Sequence, residues 1–333
     1  MSNLHIGIMN VAHLHADSYV GNLRAVPGVE MIGIADEDDI QRGQDFAAKF
    51  DTKLYADYAA LLADADAVVV CSENTRHRPL VEMAAAAGVH VLCEKPLATT
   101  AEDAQAMIDA CAQAGVTLMT AFPMRFSAPL VEVKFALDQG AVGALRAFNT
   151  TNQGQNPSHH RAWFVDKALA GGGAGMDHIV HLADILRWIL GSEITEVYAQ
   201  FNRIMHADEV EVETGGLIML TFANGIFASI DCSWSRPRLF PTWGGMTMEI
   251  VGDDGVILTD PFRQNLTVHG NPARHMAWAY WGSDPNQAMI DEFVAAVRAG
   301  RPPAVTGLDG LRATEIVLAA YRSAELGVPV AIA

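Results

Sequence analysis

Two acidic residues and a histidine stand on one face of a predicted helix that follows a glycine run. The stretch reads GGGAGMDHIVHLAD (residues 171–184), and its ionisable face carries Asp177, His181 and Asp184. At 3.6 residues per turn these three positions share a face. A histidine titrates near neutral pH and suits a general base, and a carboxylate one turn earlier can orient its imidazole. The pattern therefore indicates either a catalytic site or buried polar groups that need partners.

The elements that must position this face divide the chain into two predicted domains. In the first third, alanine-rich segments of helical length alternate with five short apolar segments: LHIGIM, EMIGIAD, DAVVVCS, HVLCEKP and TLMTAF. This alternation predicts an α/β fold over residues 1–122, a Rossmann-type, doubly wound parallel sheet. Residues 123–333 are expected to form an α+β domain with a large, mostly antiparallel open sheet. In that domain ANG (223–225) is a hairpin turn, and two closing helices can pack back on the first domain.

The first strand–helix turn, where such a sheet binds a dinucleotide, lacks the usual G-x-G-x-x-G pattern. It reads GIMNVAHLHAD, and its three glycine positions hold Asn10, Ala12 and His15. Asparagine tolerates a left-handed backbone, alanine permits close approach, and the helix N-terminus can still offer N–H groups to a diphosphate. We expect cofactor contacts from Asn10, Val11, Ala12 and His13, with an affinity that the missing glycines leave open.

Asp36 ends the second strand, at the distance from the turn where an acid binds the ribose hydroxyls of NAD. A 2′-phosphate there would meet the charge of Asp36, with Glu37 and Asp38 following and Arg42 as the nearest basic residue. Like charges at a desolvated interface are costly, so the sequence predicts NAD rather than NADP. The alternative is a solvated acid at a strand end.

Composition and charge exclude several classes of partner. The chain has 333 residues and a formal net charge of −17, which argues against nucleic acid and anionic membrane surfaces. It contains no apolar run of about 18 residues, the length that a membrane span requires. Its start lacks the layout of a signal peptide, and its four cysteines are scattered, so we expect a cytoplasmic protein with reduced thiols.

Several motifs together resemble the glucose–fructose oxidoreductase / inositol dehydrogenase / MocA family. They are Asn74 with His77, Glu94-Lys95-Pro96, Arg125-Phe126, the glycine run with Asp177 and His181, and the tail DGLRATEIVLAAYRSAELGVPV. The resemblance covers nearly the whole chain. It implies an NAD-dependent dehydrogenase that oxidises a secondary hydroxyl of a sugar, polyol, inositol or sugar derivative. It also implies a homodimer or homotetramer formed through the C-terminal sheet.

The resemblance assigns Lys95, Asp177 and His181 to the reacting centre. Chemistry supports this, because a cation beside the oxygen stabilises a developing alkoxide while the histidine takes the hydroxyl proton. In this interpretation the glycines let the helix approach the nicotinamide closely. The alternatives are an exposed strand-end lysine and a buried Asp177–His181 pair.

The remaining predicted contacts fall into two groups. Further cofactor contacts are expected from Ser72, Asn74, His77, Glu94 and Arg125. Further substrate contacts are expected from Asn152, His160, Trp163 and Trp281.

Several of these assignments have packing alternatives. Trp163 is equally expected to be a core aromatic, and Arg125 to form an ion pair with an acid. For Asp184 we expect a role in bracing or capping nearby structure. Trp278, Tyr280 and Trp281 either floor a carbohydrate pocket or simply pack.

Two other functions and a metal site remain to be weighed. An NAD-dependent glycosidase would use transient oxidation at one carbon to cleave a glycosidic bond. A cofactor-sensing regulator would keep the fold without catalysis. Aspartate and histidine four residues apart can chelate a metal, but no third ligand stands at a telling spacing, and we expect none.

Overall fold

The helices and strands alternate in the first third of the chain, as predicted. The computed structural model describes residues 3–270, 275–280 and 282–332. The strands are β1 (Leu4–Met9), β2 (Val29–Ala35), β3 (Ala67–Val70), β4 (His90–Cys93), β5 (Leu118–Thr120), β6 (Leu145–Gln155), β7 (Ile194–Asn202), β8 (Gly215–Phe222), β9 (Phe227–Arg236), β10 (Gly244–Gly252), β11 (Val256–Thr259), β12 (Asn265–Gly270), β13 (His275–Tyr280) and β14 (Val330–Ala331). The α-helices are α1 (Ala16–Ala25), α2 (Ile40–Phe50), α3 (Tyr58–Asp64), α4 (His77–Ala86), α5 (Ala101–Ala114), α6 (Ala128–Asp138), α7 (Lys167–Ala170), α8 (Ala174–Leu190), α9 (Pro285–Ala299) and α10 (Gly307–Leu326).

The chain forms two compact units. The first unit comprises Met1–Pro123, His160–Gly171 and Asn286–Thr314, and the second comprises Met124–His159, Gly172–Pro285 and Glu315–Ala333. The first break falls next to the predicted boundary at residue 122. The short segment 160–171 and most of α9 are assigned to the first unit.

The sheet of the first unit is parallel throughout, with strand order β2-β1-β3-β4-β5. A parallel bridge between Ile34 and Leu54 extends its β2 edge. The four residues of β3, AVVV, are all buried, as expected for a strand covered on both faces. The strand order reverses at β1, so the carboxyl ends of β1 and β3 flank the crevice where ligands bind in sheets of this kind. This confirms the predicted doubly wound fold.

The second unit contains a seven-stranded sheet in the order β11-β10-β6-β9-β8-β7-β14. Its pairs are antiparallel except for β6 with β9, which run parallel. The predicted hairpin at residues 223–225 joins β8 to β9, and Gly225 has the left-handed φ of 83° that the turn requires. Strands β12 and β13 form a separate antiparallel pair.

Helix α8 packs on one face of this larger sheet, against β6, β8 and β9. Its buried side includes Met176, Ile179, Leu182 and Leu186. These apolar residues are spaced as in an amphipathic helix. Their packing against the sheet fixes the rotation of the helix about its axis, and with it the direction of the ionisable face.

Two further findings concern the chain as a whole. The four cysteines, Cys71, Cys93, Cys111 and Cys232, are free and buried. None of the helices in the described part of the chain combines the length and the apolar character needed to cross a bilayer.

Candidate active site

The turn after β1 takes the backbone conformation that a nucleotide site needs, although it lacks glycine. Asn10 has a φ of 64°, the left-handed value that the sequence predicted for it. The Asn10 side chain closes the turn, because its Oδ1 accepts the N–H of Ala12 at 2.8 Å. His13 is tied to the neighbouring strand end by its N–H, which donates to the carbonyl of Cys71 at 2.8 Å. The backbone of this turn therefore fits a dinucleotide. Here the Asn10 side chain accepts the N–H of Ala12, which a turn built from glycines leaves available to the phosphates.

Asp36, at the end of β2, does not present a free carboxylate. Its side chain is fully buried, and it accepts Nε of Arg42 at 2.6 Å and Nη2 of Arg42 at 2.9 Å. The sequence-based expectation treated the charge of Asp36 as uncompensated, and this is wrong, because Arg42, the nearest basic residue, pairs with it. Asp39 caps the start of α2, and the first turn of that helix carries Arg42 back over the end of β2.

A second polar cluster lies beside this pair. Asn10 Nδ2 donates to Oδ2 of Asp38 at 2.9 Å, and the hydroxyl of Tyr58 donates to the same oxygen at 3.0 Å. Burial and the charge of Asp38 raise the pKa of Tyr58 well above its usual range. Arg76 lies 3.2 Å from Oδ1 of Asp38. Asp36 and Asp38, which the sequence placed near the ribose position, therefore each have an arginine partner within the first unit.

Glu94, at the end of β4, is a fully buried carboxylate surrounded by donors. Its Oε1 accepts Nδ1 of His15 at 3.0 Å and the hydroxyl of Tyr19 at 2.5 Å, and its Oε2 accepts the N–H of Lys95 at 3.1 Å. Burial alone would raise the pKa of Glu94, but His13 and His15 together with these hydrogen bonds hold it well below its usual range. Glu94 thus ties the nucleotide turn to the Glu-Lys-Pro loop.

The same cluster bears on the expectation that no metal is bound. Ligand atoms of His13, His15 and Glu94 all lie within 4.8 Å of one another. This three-residue grouping was missed from the sequence, because a spacing of 79 residues between His15 and Glu94 gives no metal-binding pattern. The absence of a metal stays a prediction.

His77, at the start of α4, is fully buried. Its Nδ1 lies 3.0 Å from the carbonyl oxygen of Pro96, and its Nε2 lies 3.3 Å from the carbonyl oxygen of Ser72. Burial lowers the pKa of its imidazole, and the neutral ring donates from one of these two nitrogens. His77 therefore braces the loops after β3 and β4, and its cofactor contact stays a prediction.

The segment 160–171 covers the nucleotide turn, as part of the first unit. Trp163 and Arg161 both donate to the carbonyl of Ala12, at 3.1 Å and 2.9 Å. Trp163 is 8% exposed and stacks on Phe164 at 4.2 Å between ring centroids. The ring packs as a core aromatic, the alternative that the sequence allowed equally, and its substrate contact stays a prediction. His160, at the start of the segment, is half-buried.

Asn74 and Ser72 lie at the end of β3, where the sequence placed them. Both are buried. The amide of Asn74 donates to the carbonyl of Ala170 at 2.9 Å, and the hydroxyl of Ser72 donates to the carbonyl of Glu73 at 3.2 Å. Their cofactor contacts stay predictions. Lys95 follows β4 in the same unit and is 5% exposed.

Asp177 of the second unit is held by two residues that sequence reasoning missed. The indole nitrogen of Trp234 donates to its Oδ2 at 3.4 Å, and Nε2 of His178 lies 3.4 Å from the same atom. Gly154 lies against the ring of His178, where a Cβ would come within 3.0 Å of Cε1. Asn152, predicted to contact substrate, donates through Nδ2 to the carbonyl of His178 at 3.1 Å. No local sequence signal marks Trp234, which is 57 residues from Asp177.

The glycine run makes close contacts at the start of α8, and its predicted approach to a cofactor stays a prediction. A Cβ on Gly172 would collide with the hydroxyl of Tyr321, and one on Gly173 with the carbonyl of Glu213. The carboxylate of Glu213 accepts the N–H groups of Gly173 and Gly175 at 2.8 and 3.1 Å. Glu213 therefore caps the positive end of the helix.

The two other ionisable residues of the α8 face have different roles. His181 is half-buried, one turn after Asp177. Asp184 is fully buried and accepts Nε of Arg125 at 2.7 Å and Nη2 of Arg125 at 2.5 Å. The predicted bracing role of Asp184 is confirmed. Arg125 therefore forms the ion pair that the sequence allowed as an alternative, and its cofactor contact stays a prediction.

The aromatic stretch near residue 280 is predicted to contribute to the substrate pocket. Trp281 lies outside the described residues. Of Trp278 and Tyr280 the structure describes the backbone, in β13. The predicted carbohydrate floor therefore stays a prediction.

Comparison with known proteins decides the family. A family model described as the NAD-binding Rossmann fold of an oxidoreductase family matches residues 5–122, and a GFO/IDH/MocA C-terminal domain model matches residues 130–258. The chain belongs to the GFO/IDH/MocA family. This confirms the resemblance drawn from the Glu-Lys-Pro and glycine-run motifs. The chain is an NAD(P)-dependent oxidoreductase.

Three relatives illustrate the range of similarity. A D-apiose dehydrogenase of Paraburkholderia graminis is 30% identical, over 96% of this chain and 86% of the relative. A myo-inositol 2-dehydrogenase of Thermotoga maritima is 29% identical, over 96% and 95%. The crystal structure of GenD2 from gentamicin A biosynthesis, in complex with NAD, aligns with a TM-score of 0.89 at 26% identity, over 100% of this chain and 97% of GenD2.

Proposed function

We propose that this protein oxidises a secondary hydroxyl of a sugar, polyol, inositol or sugar derivative, with transfer of hydride to NAD. The observation that carries the proposal is the face of α8, where His181 follows Asp177 by one turn and the Asp177 carboxylate is contacted by Trp234. The family membership and the names of the similar dehydrogenases support the class of substrate.

In the proposed mechanism each of three residues has a separate task. His181 takes the proton of the substrate hydroxyl as general base. Lys95 stabilises the negative charge that develops on the same oxygen. Asp177 orients the imidazole of His181 or accepts a hydrogen bond from the substrate. When bound, the nicotinamide supplies the acceptor for the hydride, which leaves the carbinol carbon with the electron pair of its C–H bond.

NAD is the first nucleotide to test, since it is the cofactor named with GenD2. The sequence-based preference for NAD over NADP depended on an uncompensated charge at Asp36. Because Arg42 pairs with that carboxylate, this basis for the preference is lost.

We further propose that the protein forms a homodimer or homotetramer through the open face of the seven-stranded sheet. Side chains of β8 and β9 on that face are exposed although apolar: Leu217 at 59%, Met219 at 44% and Phe227 at 51%. Pairing of Met219 with Ser229 and of Thr221 with Phe227 sets these side chains on one face, opposite the buried Ile218 and Leu220. A contiguous apolar surface of this kind favours association with a second copy.

The two alternative functions gain no support from the relatives. The relatives compared above are named as dehydrogenases, and these names favour neither a glycosidase nor a regulator. The substrate itself is best found by a direct assay. The purified protein should be incubated with NAD and a panel of aldoses, ketoses, inositols and sugar acids, with reduced nicotinamide followed by its absorbance.

Turnover with at least one polyol or sugar, together with its loss in His181→Gln, is the expected result. Aryl glycosides belong in the same panel, because a glycosidase releases the phenol without net formation of NADH. Phenol release without NADH, in the absence of any dehydrogenase activity, would replace the proposed function with the glycosidase.

A further inference from the structure

We infer that Arg42 is the specificity-determining residue for the 2′ position of the cofactor, and that it makes the site accept NADP as well as NAD. The inference deepens the proposed function, on which it rests in taking the turn after β1 as the nucleotide site. In Rossmann-type sites an acid after the second strand selects NAD, and an arginine nearby accommodates the 2′-phosphate of NADP. Here Asp36 and Arg42 occupy those two roles and bind each other.

The Asp36 carboxylate has no acceptor capacity left for ribose hydroxyls in this arrangement. Oδ1 accepts the N–H of Asp39 at 3.3 Å and Nη2 of Arg42 at 2.9 Å. Oδ2 accepts Nε of Arg42 at 2.6 Å and the N–H of Val11 at 3.4 Å. A carboxylate offers about four lone-pair sites, and these four donors fill them. Because its charge is paired with that of Arg42, Asp36 repels a phosphate group only weakly.

Arg42 is the more exposed partner of this ion pair. Its side chain is 25% exposed, whereas that of Asp36 is fully buried. Asn10 Oδ1 lies 3.2 Å from Nη2, and Glu73 Oε1 lies 3.4 Å from Nη1, so the guanidinium is fixed at the turn. A planar guanidinium held in this way matches the geometry of a phosphate group.

Two neighbouring carboxylates lie against a second arginine. Arg76 Nη1 lies 3.2 Å from Oδ1 of Asp38 and 3.5 Å from Oε2 of Glu73. Arg42 and Arg76 thus share the three carboxylates of Asp36, Asp38 and Glu73, so one negative charge of this group is not matched. The site still differs from one with an isolated acid, because Asp36, the carboxylate at the ribose position, has a cation beside it.

Direct binding measurements test the inference without a substrate. Dissociation constants for NADH and NADPH should be measured by nicotinamide fluorescence for the wild type and for Arg42→Gln, Arg42→Lys and Asp36→Asn. In the wild type the two constants should agree within about tenfold. Arg42→Gln removes the cation and leaves Asp36 free, so the ratio should shift towards NADH by at least about tenfold. Arg42→Lys keeps the charge and should restore part of the NADPH binding.

Asp36→Asn should shift the ratio in the opposite direction, because it frees Arg42 for the phosphate. This opposite sign separates a specificity role from a general loss of structure. Arg78→Gln is the matched control, since Arg78 also makes two ion pairs, with Glu82 and Asp103, but on α4 and α5. It should leave both constants unchanged.

Two results would overturn the inference. One is binding of both nucleotides with a ratio that stays within about twofold in Arg42→Gln and Asp36→Asn. The other is a shift of the ratio towards NADPH in Arg42→Gln. A wild-type protein that binds neither nucleotide would instead contradict the proposed function itself, and the inference would fall with it.

Discussion

The indole nitrogen of Trp234 lies 3.4 Å from Oδ2 of Asp177, and the ring that carries it is fully buried. The distance is long for an N–H···O bond, but catalytic hydrogen bonds often tighten when substrate binds. A ring fixed by packing can define one orientation of the carboxylate. Trp234 is therefore a positioning residue for Asp177.

Trp234→Phe tests this role, because it keeps an aromatic ring and removes the donor. A hydrogen bond to a charged group contributes about 1.5 kcal/mol or more, so kcat/KM should fall by about tenfold. Turnover should be measured with a substrate found in the panel, alongside NADH affinity and the urea midpoint. NADH affinity should not change. A fall in turnover that parallels a large loss of stability would mean that Trp234 acts through packing alone.

Lys95→Met and His181→Gln test the proposed reacting groups. Each should lower turnover by at least about 10²-fold, the usual effect of losing a charge stabiliser or a general base. The dissociation constant for NADH should change little, because neither role concerns the binding of the nucleotide. Near-normal turnover in both variants would show that the reacting centre lies elsewhere.

The fold was predictable because burial leaves a periodic record in the sequence. The strand segments of the first unit are short and apolar, and β3 is buried along its whole length. Asn10 was predictable for a different reason, since few residues other than glycine accept its φ of 64°. Both signals are local.

The parts that sequence reasoning missed depend on which elements come together in space. Arg42 reaches Asp36 because α2 begins in the intervening residues, and Glu213 caps α8 from 38 residues away. The indole of Trp163 donates to the carbonyl of Ala12, 151 residues away, and no local signal predicts that bond. Charge and residue type alone do not encode these pairings.

The buried Arg125–Asp184 pair should contribute to stability rather than to cofactor binding. Asp184→Asn leaves the charge of Arg125 without its partner and should lower the free energy of unfolding by about 3–5 kcal/mol. Urea denaturation measures this loss. The double variant Arg125→Met/Asp184→Leu should lose less than the two single variants together, because it leaves no buried charge. Unchanged stability with weakened NADH binding in Arg125→Met would instead restore the cofactor role.

Prolonged treatment with EDTA should leave activity and the thermal midpoint unchanged. The cluster of His13, His15 and Glu94 is the arrangement in the described chain that could hold a metal. However, His15 already bonds to Glu94, and Nδ1 of His13 accepts the backbone N–H of His15 at 3.2 Å. Lysine and histidine also suffice for the proposed proton transfer and charge stabilisation. Loss of turnover after EDTA, with recovery on addition of zinc, would show that the cluster is a metal site.

His77 should make folding stability depend on pH. Burial lowers the pKa of its imidazole in the folded protein, so below the unfolded value of about 6.5 the unfolded chain binds more protons. Stability should therefore rise with pH from the folded pKa up to about 6.5, by at most about 1.4 kcal/mol per pH unit from this group. Equivalently, it is lost as the pH falls through that window.

Urea midpoints of the wild type and His77→Asn at pH 5.5, 6.5 and 7.5 measure this contribution. Asparagine keeps a donor near the position of Nδ1, which lies 3.0 Å from the carbonyl of Pro96, and it does not titrate. The variant should show a shallower dependence between pH 5.5 and 6.5. His90→Asn is the control, because burial also lowers the pKa of His90 but that residue is half-buried, so its effect should be smaller. Equal slopes in the wild type and His77→Asn would mean that the imidazole of His77 accepts a proton without loss of the folded state.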